Sequence, residues 1–326
     1  MSHRKTTAAR LTALACGLAL VLAACSDDAE TAVGTGAEKD AGEGSIAGEY
    51  DLSGASFDIG SKEFTESIVL GQITAQALEA AGAEATDQTG ISGSATVREA
   101  LVSDEIDMYW EYTGTGWVNI LGNTTEDVPE ELYSAVAEAD GGENDVAWLE
   151  PAPMNDTYRI ATTQEFAEEN GLETMSDVAE YVEANADDAA VCAASEFINR
   201  DDGLPGLQEA YGFEFSEVVE LDLGLIYTQI GDECPFGEVF STDGRIVAND
   251  LAVIEDDKNF FIEYNAALTM RQETLDEYPQ LAELFAPISE ALTNEAITEL
   301  NAAVDVEGET AEDVAAEFLR SNGFIS

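Results

Sequence analysis

The sequence predicts an α/β protein with two domains, each a mainly parallel sheet flanked by helices. Predicted strands and helices alternate over residues 56–111, the pattern of parallel strands with helices packed on them. The periodicity restarts at about residue 158, after the stiff stretch Pro151-Ala152-Pro153, as expected at a crossing between domains. The chain has 326 residues, 45% of them hydrophobic, which is enough for two cores.

The N-terminus has the features of a secretory signal. Arg4, Lys5 and Arg10 precede an apolar run over residues 11–24. Because this run is short for a bilayer span, a cleaved signal over residues 1–24 is predicted rather than a permanent helix.

The end of the signal, Leu22-Ala23-Ala24-Cys25, resembles the bacterial lipobox. That resemblance implies that Cys25 is lipidated and becomes the new N-terminus; the alternative is an ordinary signal cut nearby. Residues 25–52 are rich in small and acidic residues and are predicted to form a flexible tether.

The first domain begins with a strand at residues 56–60 and a helix at 65–81. The amino end of this helix, together with Lys62, suits a carboxylate. After a glycine-bearing loop at 90–94, a helix at 95–102 leads to the strand 106–111, which ends in a Tyr-Thr-Gly-Thr turn at 112–115. Ligands of open α/β sheets bind beyond the carboxyl ends of strands, so these two strand ends predict a ligand site.

The remaining elements follow the same reasoning from periodicity and breakers. Their predicted positions are a helix at 129–139, helices at 175–184 and 204–211 with strands at 190–193, 218–221 and 238–241, a returning strand at 246–254, and helices at 274–278, 280–292, 294–304 and 310–322.

Composition excludes several classes of function. The net charge is −56, with 68 acidic and 12 basic residues, so the chain lacks the basic groups that nucleic-acid binding requires. The acidic residues are spread along the chain, which indicates a solvated, salt-tolerant surface. The only histidine, His3, lies in the predicted signal, so imidazole triads, histidine zinc sites and histidine pH switches are unavailable. No metal or cofactor is expected.

Two cysteines remain after Cys16 leaves with the signal and Cys25 takes the lipid. Outside the cytoplasm, Cys192 and Cys234 are predicted to form a disulfide, and a loop of about forty residues would stabilise the fold by roughly 3–4 kcal/mol in the chain-entropy picture. Two buried free thiols are the alternative.

Six motifs, in order, resemble those of the substrate-binding lipoproteins of osmoprotectant ABC importers, which capture glycine betaine, choline or carnitine. The likeness runs from about residue 55 to residue 325. The motifs are Gly-Ser-Lys-x-Phe-Thr-Glu at 60–66, Ile-Asp-x-Tyr-x-Glu-Tyr-Thr-Gly-Thr at 106–115, Asn-x-Thr-Tyr at 155–158, Arg-x-Asp-Gly-x-x-Gly-Leu at 200–207, Phe-Ser-Thr-Asp-Gly-Arg-Ile at 240–246 and Asp-Asp-Lys-x-Phe-Phe at 256–261.

The resemblance implies a two-lobed periplasmic-binding-protein fold of type II, with ligand in a cleft that closes at a hinge. Lobe I is expected to take residues 53–156 and 250–326, and lobe II residues 157–249. The crossings are expected near residues 155–159 and 247–254. The implied protein is a monomer without cofactor, held by its lipid on the outer face of the bacterial cytoplasmic membrane. Its partners are a small quaternary ammonium ligand and the permease and ATPase subunits of the importer.

The resemblance also implies a set of ligand-binding residues. Aromatic faces attract a methylated cation that cannot donate strong hydrogen bonds, each face contributing roughly 0.5–2 kcal/mol when desolvated. The implied walls are Tyr112 and Tyr264, faced by Phe240, and the implied contacts of the polar end are Lys62 and Thr115, with Asn155, Tyr158, Arg200 and Thr242 as further candidates.

Each assignment has a structural alternative. The aromatic residues could be ordinary core side chains, Lys62 could pair with Glu63 or Glu66 on the surface, and Arg200 could hold the loop that follows it. A lysine at position 62 favours a ligand with a carboxylate over choline, because two cations side by side are unfavourable.

Three alternatives compete with this interpretation. A hydrolase would need paired carboxylates, but Asp107 and Glu111 are about 13 Å apart on a strand, more than the usual 5–10 Å. We therefore expect that the protein is not an enzyme. A purely structural lipoprotein would lack a closing cleft. Within the binding class, ergothioneine, a larger betaine of histidine, is the alternative ligand.

Overall fold

The computed structural model describes residues 44–185 and 189–326. The predicted signal, the lipidation at Cys25 and most of the predicted tether lie outside these residues. The strands are β1 Ser56–Lys62, β2 Glu84–Ile91, β3 Met108–Tyr112, β4 Val146–Trp148, β5 Tyr158–Thr163, β6 Ala190–Ala193, β7 Glu217–Glu220, β8 Phe236–Phe240, β9 Leu251–Val253 and β10 Ala266–Arg271.

Helices surround these strands, and a π-helical turn, Gly116–Ile120, directly follows the fourth helix. The helices are α1 Ser45–Glu49, α2 Thr65–Ala80, α3 Ser94–Val102, α4 Thr113–Thr115, α5 Leu132–Asn144, α6 Gln164–Asn170, α7 Met175–Ala184, α8 Ser195–Asn199, α9 Leu204–Tyr211, α10 Leu223–Gln229, α11 Arg245–Ala248, α12 Gln272–Glu277, α13 Gln280–Ala291, α14 Asn294–Asp305 and α15 Ala311–Ser321. None of the helices in the described ranges is both long and apolar enough to cross a membrane.

The strands form two five-stranded sheets with the same plan, in the orders β2-β1-β3-β10-β4 and β7-β6-β8-β5-β9. In the first sheet β1 is parallel to β2 and β3, and β10 is antiparallel to β3 and β4. In the second, β6 is parallel to β7 and β8, and β5 is antiparallel to β8 and β9. Four strands of each sheet therefore share one direction, which confirms the predicted α/β fold with mainly parallel sheets.

The chain passes between the sheets twice, over residues 149–157 and again over residues 254–265. The predicted strand at 246–254 is wrong in its first half, where Arg245–Ala248 is helical. Asp250, with φ 53°, turns the chain, and only Leu251–Val253 is extended. Because β9 pairs with β5, the second sheet extends past the predicted boundary at residue 249, and the return crossing lies later than predicted.

Three strands that the sequence did not predict, β2, β4 and β10, complete the first sheet. Strand β2 is an edge strand whose residues are mostly exposed and polar, so it lacks the alternation of apolar residues that indicates a strand. Strand β10 is buried throughout except at its last residue and lies between β3 and β4. Because it lies in the core of the sheet, its sequence is a short continuous run of buried residues rather than an alternation of buried and exposed ones.

Packing holds the two ends of the described chain together on the first sheet. Helix α2 buries Val69, Leu70 and Ile73 completely, and α15 packs against this helix. The backbone N–H groups of Ser45 and Ile46 donate to carbonyl oxygens of residues 323 and 324 at 3.1 Å. In the second sheet, a disulfide joins Cys192 on β6 to Cys234, which lies just before β8.

Candidate ligand-binding site

A cavity of about 990 Å³ lies where strand ends of the two sheets face each other. The first sheet contributes Lys62 from the end of β1 and Tyr112 from the end of β3. The second contributes Phe240 from the end of β8, and Tyr158 from the start of the antiparallel β5 lies opposite it. The cavity therefore lies at the carboxyl edge of both sheets, where open α/β folds bind ligands.

Five aromatic rings form a continuous aromatic wall along this cavity. Ring centroids are 5.9 Å apart for Tyr112 and Phe64, 5.3 Å for Phe64 and Phe240, and 5.0 Å for Phe240 and Tyr158. Tyr264 completes the wall edge-on, with its centroid 5.5 Å from that of Tyr158 and an interplanar angle of 87°. Tilted and perpendicular faces around one space are the arrangement that attracts a quaternary ammonium group.

Phe64 is the member of the wall that sequence reasoning missed. It occupies the N-cap of α2 in an extended conformation and makes no side-chain cap hydrogen bond. Small polar residues are usual at this position because their side chains cap the exposed N–H groups. An aromatic residue there, inside the Gly-Ser-Lys-x-Phe-Thr-Glu motif, was the available signal.

Lys62 lines the cavity, but its charge is already compensated. Its Nζ lies 2.6 Å from Oε1 of Glu111, and both side chains are buried. Glu111 also accepts hydrogen bonds from the Tyr109 hydroxyl at 2.9 Å and the Tyr112 N–H at 2.8 Å. The partner of Lys62 is thus neither Glu63 nor Glu66, the two acids that the sequence offered as alternatives.

Arg200 forms hydrogen bonds both within its own loop and to the turn that follows β3. It donates to both carboxylate oxygens of Asp202, at 2.8 and 2.6 Å, and to Glu196 at 2.7 Å. It also donates to the Thr115 hydroxyl at 3.2 Å, across from the first sheet. Arg200 therefore both holds its own loop and lines the cavity beside Thr115.

A second set of hydrogen bonds joins the rims of the two sheets. Ser94, at the start of α3, donates to Glu196 through its N–H at 3.1 Å and its hydroxyl at 2.6 Å. Burial raises the pKa of Glu196, but Lys62, Arg200 and the Ser94 hydrogen bonds outweigh it and lower the pKa to about 2. Glu196 is therefore ionised at neutral pH.

Two predicted site residues lie beside the cavity and hold its walls. The Asn155 side chain accepts the Tyr264 N–H at 2.8 Å, while the Tyr264 hydroxyl donates to Asp202 at 2.6 Å. The Thr242 hydroxyl lies 2.7 Å from Glu66 and 2.6 Å from Asp156. Asn155 and Thr242 thus position ring-bearing segments, whereas the other seven predicted ligand residues line the cavity.

Glu66 and Asp156 form a buried acidic pair beside Tyr112, and Asp156 also lines the cavity. Burial is the largest cause that raises the pKa of both carboxyl groups. One Thr242 hydroxyl can donate only a single hydrogen, yet it contacts both carboxyl groups, so one of them carries a proton. The Tyr112 hydroxyl donates to Glu66 at 2.9 Å, which fixes the ring in the wall.

Glu238 is a further cavity residue that sequence reasoning missed. It lies on β8, and its side chain is buried where it lines the cavity. Burial raises its pKa to about 8, although the Ala194 N–H donates to it at 2.7 Å. An acidic residue in the otherwise apolar run Phe236–Phe240 was the signal that could have identified it.

Within residues 44–185 and 189–326, no cluster of histidine, cysteine or acidic residues is arranged to hold a metal ion.

A two-lobed α/β fold with a cavity at the facing strand edges defines a periplasmic-type binding protein of the type II class. Residues 55–321 match the OpuAC family, the substrate-binding domain of ABC-type glycine betaine transport systems. The chain belongs to this family. The predicted recognition is therefore confirmed, and the protein is a substrate-binding protein of the ABC-importer type rather than an enzyme.

Individual relatives agree with this assignment. The chain is 38% identical over 276 residues to a glycine-betaine-binding protein of Pseudomonas aeruginosa, covering 82% of this chain and 88% of that one. It is 32% identical to an ergothioneine transport permease/binding protein of Helicobacter pylori, covering 81% of this chain and 47% of that one. The structure of apo YehZ from Escherichia coli superimposes with a TM-score of 0.60 at 31% identity, covering 82% of this chain and 99% of that one.

Proposed function

We propose that the protein captures glycine betaine or a similar quaternary ammonium zwitterion and delivers it to the permease and ATPase of an ABC importer. The observation that carries this proposal is the aromatic wall, with rings from Phe64, Tyr112, Tyr158, Phe240 and Tyr264 around one cavity. The glycine betaine relative in Pseudomonas aeruginosa supports the choice of ligand.

The two ends of the ligand meet different chemistry. The trimethylammonium group lies against the aromatic wall, because its diffuse charge attracts ring faces and needs no hydrogen-bond acceptor. The carboxylate lies toward Thr115 and Arg200, whose hydroxyl and guanidinium groups are donors that line the cavity. The Arg200 guanidinium also lies 5.4 Å from the ring centroid of Tyr158, so this polar contact adjoins the wall. Lys62 adds less than an unpaired lysine, since Glu111 neutralises it.

The proposal includes a closing motion and an anchor. Each sheet marks one lobe, and β9 extends lobe II to residue 253, leaving residues 254–326 with lobe I. The hydrogen bonds from Ser94 to Glu196 and from Arg200 to Thr115 close the cleft over the ligand. The protein acts as a monomer outside the cytoplasm, held to the membrane by a lipid at Cys25.

The aromatic wall is tested by Phe240→Leu, which keeps an apolar side chain but removes the ring quadrupole. Calorimetric titration with glycine betaine is expected to show a loss of about 0.5–2 kcal/mol in binding free energy, the contribution of one ring face. The matched control is Phe166→Leu, because Phe166 packs against Tyr181 and Phe236 away from the cavity.

Unchanged affinity in Phe240→Leu, with wild-type protein that binds, would reject the cation-π contact at this ring. Failure of the folded wild-type protein to bind any of glycine betaine, carnitine, choline and ergothioneine would reject the proposed function itself.

A larger betaine such as ergothioneine is the second candidate. The cavity, at about 990 Å³, reaches the upper end of the roughly 300–1,000 Å³ range of small-molecule sites, which leaves room beside a ligand as small as glycine betaine. The Helicobacter pylori relative carries ergothioneine in its name. A competition titration with glycine betaine and ergothioneine distinguishes the two candidates. The ligand with the lower dissociation constant is the better candidate for the natural substrate.

A further inference from the structure

Glu238 is one of the residues that line the cavity. It precedes Phe240 by two positions on β8, so both side chains leave the same face of the sheet. Glu238 is 1% exposed, and its Oε2 accepts the Ala194 N–H at 2.7 Å. Its Oε1 forms no hydrogen bond to any part of the chain that the structure describes, and this atom is not fully buried. Because Glu238 lines the cavity, Oε1 is available to a ligand there.

The groups around Glu238 determine its charge. Strand β5 contributes Tyr158, and the segment after β6 contributes Glu196 and Arg200. Burial raises the pKa of Glu238 to about 8; Glu196 raises it further, while the Ala194 hydrogen bond and Arg200 lower it. At neutral pH Glu238 is therefore a neutral carboxylic acid with one hydrogen to donate.

We propose that Glu238 selects the ligand by charge. In its neutral form it donates a hydrogen bond to the carboxylate of a zwitterionic betaine, which Arg200 and Thr115 also hold. In its ionised form it repels that carboxylate and favours a quaternary ammonium compound without one, such as choline. This inference rests on the proposed function of the cavity and adds a specificity-determining residue to it.

A pH dependence with a definite sign follows. Betaine binds the protonated form, so its affinity falls as pH rises through the pKa of Glu238, whereas the affinity for choline rises. Three other acids of the described residues have a raised pKa: Glu66 and Asp305 do not line this cavity, whereas Asp156, which contacts Thr242, does. The Glu238→Gln variant therefore separates the titration of Glu238 from that of Asp156. The only histidine of the chain, His3, lies in the predicted signal.

The test is calorimetric titration of residues 26–326 with glycine betaine and with choline at pH 7 and pH 9. For the wild-type protein, betaine affinity is expected to fall about tenfold between these values, and choline affinity to rise. Glu238→Gln keeps a hydrogen-bond donor of the same shape and cannot ionise, so its betaine affinity is expected to stay constant. Glu217→Gln, at an exposed carboxylate of β7 that does not line the cavity, is the matched control and is expected to follow wild type.

Proton counting provides a test that needs no variant. Titrations at pH 8 in buffers of different ionisation enthalpy are expected to show uptake of about half a proton with betaine and release with choline. Uptake near zero, or a Glu238→Gln protein that keeps the wild-type pH dependence, would overturn the inference while leaving the proposed function in place. Absence of binding by both ligands at both pH values would overturn the two together.

Discussion

Lys62 and Glu111 form an ion pair in which both side chains are almost fully buried, with 5% and 0% exposed. Removing two charges from water is costly, and their attraction offsets that cost only while both partners are present. Tyr109 and the Tyr112 backbone complete the hydrogen bonding of Glu111, so the pair fixes the end of β3 that carries the Tyr112 ring. Its main role is therefore to hold the wall in place.

Glu111→Gln is expected to lower the free energy of unfolding by about 3–5 kcal/mol, because it leaves the Lys62 ammonium buried without a counter-charge. The double variant Lys62→Met with Glu111→Leu is expected to lose much less, since an apolar pair of similar volume replaces the ions. Urea unfolding of the three proteins measures both values. A loss below about 1 kcal/mol in the single variant would show that water reaches the pair.

Part of the site was predictable residue by residue, and part was not. The motifs located seven residues that line the cavity, because ligand groups at strand ends leave a recognisable order along the chain. They did not distinguish these from Asn155 and Thr242, which lie one layer behind. Glu238 and Phe64 were missed because their exposure to the cavity depends on how the two sheets face each other.

The turn after β3 is the element that sets the geometry of the wall. Gly114, in α4, packs so closely on Tyr264 that a Cβ atom would lie 2.5 Å from the ring. Gly116 packs in the same way on Val136 and Trp148. The two glycines therefore allow the segment after Tyr112 to approach the core and hold Tyr264 from behind.

Gly114→Ala is expected to displace the Tyr264 ring and to weaken betaine binding by at least the contribution of one ring face, about 0.5–2 kcal/mol. Gly142→Ala is the matched control: it lies in α5 with open space around its Cβ position, and it is expected to leave binding unchanged and stabilise the helix by up to about 1 kcal/mol. Titration and thermal unfolding of both variants measure these effects. Equal affinity in the two variants would remove Tyr264 from the proposed site.

Helices were more predictable than strands. Helices α7 and α9 occur where the sequence predicted them, because their apolar periodicity ends at clear breakers and α7 begins with a Thr174–Asp177 capping box. Strand β2 was missed because its sheet neighbour, rather than its own side chains, makes it a strand. The error at residues 246–254 has a similar origin, since an apolar run fits a short helix and a short strand equally well.

At the scale of the whole molecule, the two sheets repeat one strand order, with the single reversed strand next to the edge in each. Each reversed strand adjoins a crossing: β5 follows the first and β10 follows the second. Tyr264 lies in the second crossing, two residues before β10, and Tyr158 is the first residue of β5, directly after the first crossing. The crossing segments thus shape the site as well as linking the sheets.

The net charge of −56 affects the whole molecule rather than one site. Self-repulsion among solvated carboxylates opposes compaction, and salt screens it over a Debye length of about 10 Å at 0.1 M and about 3 Å at 1 M. The melting temperature is therefore expected to rise by several degrees between about 0.05 and 1 M NaCl. Calorimetric scans in NaCl and in sucrose at matched osmolality separate screening of the carboxylate charges from exclusion of the solute from the protein surface. An equal rise of the melting temperature in both solutes would assign the stabilisation to exclusion.

The backbone hydrogen bonds from Ser45 and Ile46 to residues 323 and 324 place the ends of the described chain within bonding distance. A short linker could therefore splice these ends, and new termini could be opened at an exposed loop without changing the register of either sheet. Such a circular permutant could carry a fluorescent domain at the cleft rim. The fold is thus a natural scaffold for a reagentless optical sensor of its own ligand.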